Sequence, residues 1–285
     1  MKINRISPEK SNYLQILEHI DKSPKRLYFI GELPKTRIPS VAIVGTRRPS
    51  RYGIEVTTKL SYELAGRGIV VISGLALGVD AIAHRAALDA GGTTIAILAN
   101  GLPDIRPKTN EQLGHTIVSH GGAIITEYEP GEGVRNYTLL ERNRLVSGLA
   151  DALIITEAAT KSGTMSTAAH ALRQGKDVFV VPGNITSPLS SGCNNLLKQG
   201  AMPATCADDI ISVIAPEMLR PQTSLALGDT PDETRILELL QSGLRDGDEI
   251  QRQSGISAEN FSTTLTMLEL SGAIRALGGN QWTIK

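Results

Sequence analysis

The sequence predicts an α/β protein, an extended Rossmann-like doubly wound parallel sheet with a small C-terminal winged-helix domain. Three observations carry this. Six short, β-branched apolar runs follow one another from Val41; stretches of helical spacing with glycine stops separate them; and residues 231–285 switch to short helices and a hairpin pattern. Strands that are apolar throughout, alternating with helices, belong to a parallel sheet covered on both faces.

In chain order, residues 1–24 hold one amphipathic helix within "SPEKSNYLQILEHID", too short for a domain and expected to pack on the main body. The strand runs are "VAIVGT" (41–46), "IVVISG" (69–74), "TTIAILAN" (93–100), "GGAIITE" (121–127), "DALIITEA" (151–158) and "DVFVVPG" (177–183). Helical stretches such as "GIEVTTKLSYELAGRG" and "AIAHRAALDAGG" lie between them and end at glycine. Together these make a Rossmann-like domain over residues 25–215. A linker follows at 216–230, within the proline-containing "APEMLRPQTSLALGDTP". Three helices come next, "DETRILELLQSG", "DGDEIQRQSG" and "SAENFSTTLTMLELSG", the last capped by Ser257. "AIRALGGNQWTIK" then reads as a hairpin turning at Gly278-Gly279. Three helices and a hairpin make a winged-helix domain over residues 231–285.

Composition narrows the function classes. Aromatic residues are 4% of the chain, too few for a broad base-stacking platform. Cys193 and Cys206 have no histidine nearby and no metal-like spacing, which suits reduced thiols in the cytoplasm. The N-terminus has no apolar signal core, and no apolar run approaches membrane-spanning length. The net charge of zero hides an asymmetry. Residues 229–285 carry five Lys/Arg against nine Asp/Glu, a net −4, and the totals of 29 and 29 leave +4 on residues 1–228. A polyanionic partner would meet the body, not the tail.

In an open parallel sheet, ligands bind at the carboxyl ends of the strands. The first run ends in "GTRRPSRYG", where Gly45 lets the backbone turn close to a ligand, Thr46 offers a hydroxyl, and Arg47 and Arg48 offer charge. No further glycines follow at dinucleotide-fingerprint spacing, which argues against NAD or FAD. The second run ends at Ser73-Gly74 and leads through Gly78 into a helix whose first amides could hold an anion. Asp80 and His84, four apart on that helix, could pair. "PDIRPKTN" supplies Arg106 and Lys108. Arg142, Asn143 and Arg144 crowd into a mostly apolar helix, a pattern suited to phosphate. After the fifth run, Lys161, Ser162, Gly163 and Thr164 open another helix, so that hydroxyls, amides and the positive helix end converge. The sequence has no Walker loop and no nucleophile motif, and its five histidines are scattered without metal-like spacing, so neither a cofactor nor a metal is expected.

These residues resemble the DprA/Smf family, the DNA-processing proteins of natural transformation. The resemblance rests on "VAIVGTRRPSRYG", "SGLALGVDAIAHRAAL", "RNRLVSGLADALIITEA", "KSGTMSTAAHALRQGKDVFVVPG" and "GCNNLLKQGA", in order and at full spacing from Leu27 to Ile211. It implies an extended Rossmann fold that dimerises, binds single-stranded DNA through phosphates and bases in a basic pocket, loads the RecA recombinase, and has no established enzymatic activity. By motif, the pocket comprises Gly45, Thr46, Arg47, Ser73, Gly74, Arg142 to Arg144 and Ser162 to Thr164. The clamp expected on the phosphates is Arg47, Arg142 and Arg144, with amides from the 162–164 helix start. The dimer surface is expected on the Rossmann domain, with "DVFVVPGNITSPLSSGCNNLL" as the candidate. Three departures stand out. Leu139-Leu140 replaces the family's Phe-Pro, leaving Tyr137 as the candidate stacking residue; Arg106-Pro107 replaces Tyr-Pro; and residues 1–24 are too short for the N-terminal helical domain of many members.

Two rival functions meet obstacles in the sequence. Phosphoribohydrolases of the LOG type carry a glutamate three residues after the loop threonine, where this chain has Thr167, which cannot serve as a carboxylate. A winged-helix transcription regulator needs a basic reading helix, but "SAENFSTTLTMLELS" holds Glu259 and Glu269 and no Lys or Arg.

Overall fold

The computed structural model describes residues 2–219 and 230–284. Its residues fall into two compact units, Met1–Met218 and Leu219–Lys285. Most of the expected linker, residues 220–229, lies outside the described residues.

The first unit begins with β1 (Asn4–Ile6), then two short 3₁₀ turns, Pro8–Lys10 and Gln15–His19, where one amphipathic α-helix was expected. The buried Leu14, Leu17 and Ile20 recur every third residue, which suits the three-residue turn of a 3₁₀ helix better than the 3.6 of an α-helix. Together with Tyr13 they enter the main core, where the Tyr13 hydroxyl lies 2.9 Å from Ser40 Oγ. The segment packs on the body as expected, but as turns and an edge strand.

The chain continues through β2 (Leu27–Gly31), β3 (Ser40–Val44), α1 (Arg51–Gly66), β4 (Val70–Ser73), α2 (Val79–Asp89), β5 (Thr94–Ile97), α3 (Glu111–Ser119) and β6 (Ala123–Thr126). It goes on with α4 (Asn136–Leu149), β7 (Ala152–Ile155), α5 (Gly163–Arg173), β8 (Asp177–Val180), α6 (Ser191–Lys198), β9 (Met202–Pro203) and α7 (Ala207–Ile214). One sheet runs β1-β2-β6-β5-β4-β3-β7-β8-β9. The six runs read from the sequence are β3 to β8, and all of their mutual pairings are parallel; β1 and β2 add an antiparallel edge. Residues of β3, β4, β5, β6 and β7 are buried without exception, because helices cover both faces. Strand order reverses between β3 and β7, which fixes the crevice where a ligand would bind.

The second unit contains α8 (Pro231–Gln241), α9 (Gly247–Ser254), α10 (Ala258–Leu270), β10 (Ile274–Gly278) and β11 (Gln281–Ile284). Ser257 caps α10 by accepting from the Asn260 amide at 3.3 Å. Ile236, Leu240, Ile250, Phe261, Leu265 and Ile274 form its separate core. Positive φ at Gly278, Gly279 and Asn280 turns the hairpin, one residue beyond the dipeptide read from the sequence. This is a winged helix.

Candidate nucleic-acid interface

Two adjoining cavities open at the carboxyl ends of the strands. The first, about 440 Å³, lies at the β3/β7 reversal and is lined by Gly45, Thr46 and Arg47 after β3, by Asp80, by Leu139, Leu140, Arg142 and Asn143 of α4, and by Ser162, Gly163, Thr164 and Thr167. The second, about 360 Å³, is more apolar, with Leu77, Ala99, Val134 and Leu139 in its wall and Arg106 and Lys108 among its lining residues. Arg47, Ala76, Leu139 and Arg142 line both.

The start of α5 faces the first cavity uncapped. Ser162 is the N-cap residue, yet its side chain takes no amide, and its Oγ has no hydrogen-bond partner. The space beside Gly163 is open. A helix start without a capping acceptor presents amide donors and the positive end of the dipole. Arg47 is exposed and makes no hydrogen bond or ion pair with any described residue. Thr164 Oγ1 is committed to the Gly45 carbonyl at 3.0 Å. The place beside Gly45 is filled by Val79 and by the Glu157 carbonyl, so this glycine serves packing between elements.

The three arginines expected to clamp phosphate divide. Arg142 is 5% exposed, and its Nη1 donates to the carbonyls of Gly74, at 2.6 Å, and Ile97. Burial pushes its pKa down, against the opposing pull of Asp80. It is a strut joining the ends of β4 and β5, with one face toward the cavities. Arg144 lines neither cavity; it is buried against Glu127 in an ion pair at 2.5 Å. Burial raises the Glu127 pKa despite that partner. The expectation that Arg144 faces the pocket is corrected: residues 142 and 144 sit two apart on a helix and point to different sides. Arg47 alone of the three has a free guanidinium.

The remaining expected residues fall into groups. Asn143 lines the first cavity, with Nδ2 3.5 Å from the Gly163 carbonyl. Gly74 and Lys108 line the second, where Lys108 pairs with Asp104 at 3.0 Å and Glu111 at 2.7 Å. Ser73 is buried and donates to the Ile43 carbonyl at 2.6 Å, so its hydroxyl is spent inside. Arg48 and Lys161 are exposed and outside both linings. Tyr137, the expected stacking residue, is also outside them; it lies under the Arg135 guanidinium, 5.9 Å from carbon to ring centroid. Leu139 and Leu140, read only as a lost aromatic, are the apolar lining instead.

Asp80 and His84 do not pair. Asp80 turns back to accept from the amides of Gly74, at 3.0 Å, and Ala76, at 3.4 Å, so these loop amides are closed to an anion. Burial raises its carboxyl pKa. His84 Nδ1 lies 2.6 Å from Thr94 Oγ1, and that hydroxyl donates to the Val71 carbonyl. With its one proton used, Thr94 must accept from His84, which is neutral with its proton on Nδ1. Burial, with Arg142 and Arg85 nearby, drives the His84 pKa down to about 3. Glu157 organises this site without any signal in the sequence: it is 2% exposed and accepts from Ser50 N at 2.8 Å and Ser50 Oγ at 2.6 Å, fixing the loop that carries Arg47. No group of three or more His, Cys, Asp or Glu side chains could hold a metal among the described residues, and no helix there is long and apolar enough to cross a membrane.

An uncapped helix start and an unpaired arginine at the reversal point of a doubly wound sheet, in a chain that also carries a winged helix, define a Rossmann-type protein with an open crevice at the strand ends. Residues 4–215 match the family model of DNA recombination-mediator protein A, and residues 220–280 match the DprA winged helix domain. The chain belongs to the DprA/Smf family. It is 35% identical to the Protein Smf of Escherichia coli over 266 residues, 90% of this chain and 71% of that one. The X-ray structure of DNA processing protein A from Streptococcus pneumoniae is similar at a TM-score of 0.69 and 35% identity, covering 75% of each chain. A second structure, of the Helicobacter pylori protein, is described for its single-stranded DNA binding mode; it matches at a TM-score of 0.66 and 33% identity, over 76% of this chain and 97% of that one.

Proposed function

We propose that the protein binds single-stranded DNA at the two adjoining cavities, taking a phosphate in the first and a base in the second. The observation that carries this reading is the convergence of the free Arg47 guanidinium, the unpartnered Ser162 hydroxyl and the open start of α5 on one cavity. Thr46 adds its hydroxyl, and Leu77, Val134 and Leu139 supply an aliphatic slot where an aromatic would stack. The single-stranded DNA binding mode described for the Helicobacter pylori relative supports the ligand class. Within the family's DNA processing, the bound strand is protected and passed to the RecA recombinase, and two copies joined through the Rossmann domain hold one strand in cytoplasmic recombination.

No catalytic step is proposed. Thr167 is 3% exposed in the lining of the first cavity, at the place where a LOG-type enzyme carries its glutamate. The carboxylate of that lining, Asp80, is spent on two amides.

Ser162→Asp tests the reading, because its two effects have opposite signs. An aspartate at the N-cap of α5 should raise stability by about 0.5–1 kcal/mol, through the amides and the dipole. The same carboxylate should repel phosphate and weaken oligonucleotide binding by at least about tenfold at low salt. A variant that melts higher and still binds at full strength would remove the α5 start from the site.

A further inference from the structure

The loop between β4 and α2 is unusually constrained. Leu75, fully buried, stands at φ +55, in the left-handed region that disfavours residues with a Cβ. Buried side chains take the polar groups of this loop from both sides. Asp80 Oδ2 accepts from the Gly74 and Ala76 amides at 3.0 and 3.4 Å. Asn110 Nδ2 donates to the Leu75 and Ala76 carbonyls at 2.9 and 3.1 Å. Arg142 Nη1 holds the Gly74 carbonyl at 2.6 Å. Asp80 and Asn110 are themselves 7% and 2% exposed.

The far end of the loop bears on the free arginine. Gly78, at φ +78, backs onto the Arg47 main chain so closely that a Cβ would lie 2.7 Å from Arg47 Cα. The next amide, of Val79, donates to the Thr46 carbonyl at 3.2 Å. The loop is therefore a spacer, fixed at one end by Asp80 and Asn110 and touching at the other the backbone that presents Arg47. Asp80 offsets the charge of the buried Arg142, but toward the strand itself an anion in the wall of a cavity that takes a polyanion opposes binding.

We infer that Asp80 and Asn110 are positioning residues of the nucleic-acid site: by locking the 74–78 loop they set where Arg47 and Arg142 stand. This rests on the single-stranded DNA reading above. Neither residue need touch the strand. A site held to within a fraction of an ångström by such supports loses affinity when they are loosened, although its charged groups remain.

The test is equilibrium binding of a fluorescent oligothymidylate to the full chain, for wild type, Asp80→Ala, Asp80→Asn, Asn110→Ala and the double alanine variant. Removal of a negative charge alone predicts tighter binding for both Asp80 variants. Positioning predicts binding weaker by about tenfold or more in Asp80→Ala and Asn110→Ala, with the double variant little worse than either. It also predicts rescue to within about threefold in Asp80→Asn, whose amide oxygen can still accept from Gly74 and Ala76. Binding by Asp80→Ala at or above wild-type strength overturns the inference, as does an Asp80→Asn variant no better than the alanine. Wild type that ignores the oligonucleotide overturns the single-stranded DNA reading instead. Should the alanine variants not fold, amide hydrogen exchange on wild type decides: Gly74 and Ala76 protected like the residues of β4 sustain the lock, and rapid exchange at both refutes it.

Discussion

Arg142 packs its guanidinium against Gly74. Nη1 donates to the Gly74 carbonyl at 2.6 Å, and a Cβ on Gly74 would overlap the guanidinium carbon and both terminal nitrogens. A cation this deep is retained because it joins the carbonyls of two strand ends, at Gly74 and Ile97. Arg142→Ala should therefore cost about 1–3 kcal/mol of stability by orphaning those acceptors. Gly74→Ala should displace the guanidinium and cost a similar amount, and the double variant should fall well short of the sum. Denaturant titration of the three variants reads this; additive losses would mean that the two residues act separately.

Arg47 and Arg144 should separate binding from stability. Arg47 is exposed and free, so Arg47→Ala should leave the melting temperature unchanged and flatten the log–log salt dependence of binding by about one unit. Arg144 is buried against Glu127, so Arg144→Ala should leave the salt slope alone and cost about 2 kcal/mol by stranding a partly buried carboxylate. Salt titrations and melts on both variants check the pair. A reduced salt slope in Arg144→Ala would return that residue to the clamp.

The same contrast shows what the sequence could and could not tell. β3 to β8 were legible because a strand covered on both faces is apolar over most of its length, a signal independent of its neighbours. β1 was not: Asn4-Arg5-Ile6 has no periodicity, and its strand state comes from pairing with Leu27 to Phe29. The α5 start was legible because small residues and hydroxyls at a helix opening have a local meaning. That neither Arg142 nor Arg144 is free was not, since it depends on Gly74, Ile97 and Glu127, all outside the helix that carries the two arginines. Asp80 looked like a partner for His84 from their spacing; the backbone bend at Leu75 instead brought two amides nearer.

His84 should make the protein acid-sensitive. Its pKa falls from an unfolded value near 6.5 to about 3 in the folded state. Between those values the unfolded chain binds a proton that the folded chain refuses. Stability from this group is thus complete above pH 6.5 and is lost as pH falls toward 3, with a slope of up to about 1.4 kcal/mol per pH unit. Asp80, whose folded pKa is raised, contributes in the opposite direction where the two ranges overlap. The comparison of wild type with His84→Gln isolates the histidine, because Asp80, Arg85 and Arg142 are common to both. Denaturant midpoints measured from pH 7 to 5 should fall more steeply in wild type, and parallel lines would show that the buried imidazole is protonated as readily as an exposed one.

The winged helix should contribute little to single-strand affinity. In this fold α10 would be the helix that enters a major groove, yet Ala258–Leu270 contains no lysine or arginine and exposes Glu259 and Glu269. The hydroxyls of Thr263 and Thr266 are turned back to the helix carbonyls of Glu259 and Ser262, at 3.0 and 2.9 Å. Its outward face also carries Met267 and Leu270, 55% and 78% exposed, which suits a protein partner better than a phosphate backbone. Ending the chain after residue 219 should leave oligothymidylate affinity within about twofold, because the cations proposed to neutralise phosphate all belong to the first unit. Duplex of equal length should bind weakly to both forms at physiological salt. Glu259→Lys with Glu269→Lys should raise duplex affinity in the full chain while single-strand binding stays constant. A truncated chain that loses tenfold or more on single strands would instead make α10 and its hairpin part of the nucleic-acid site.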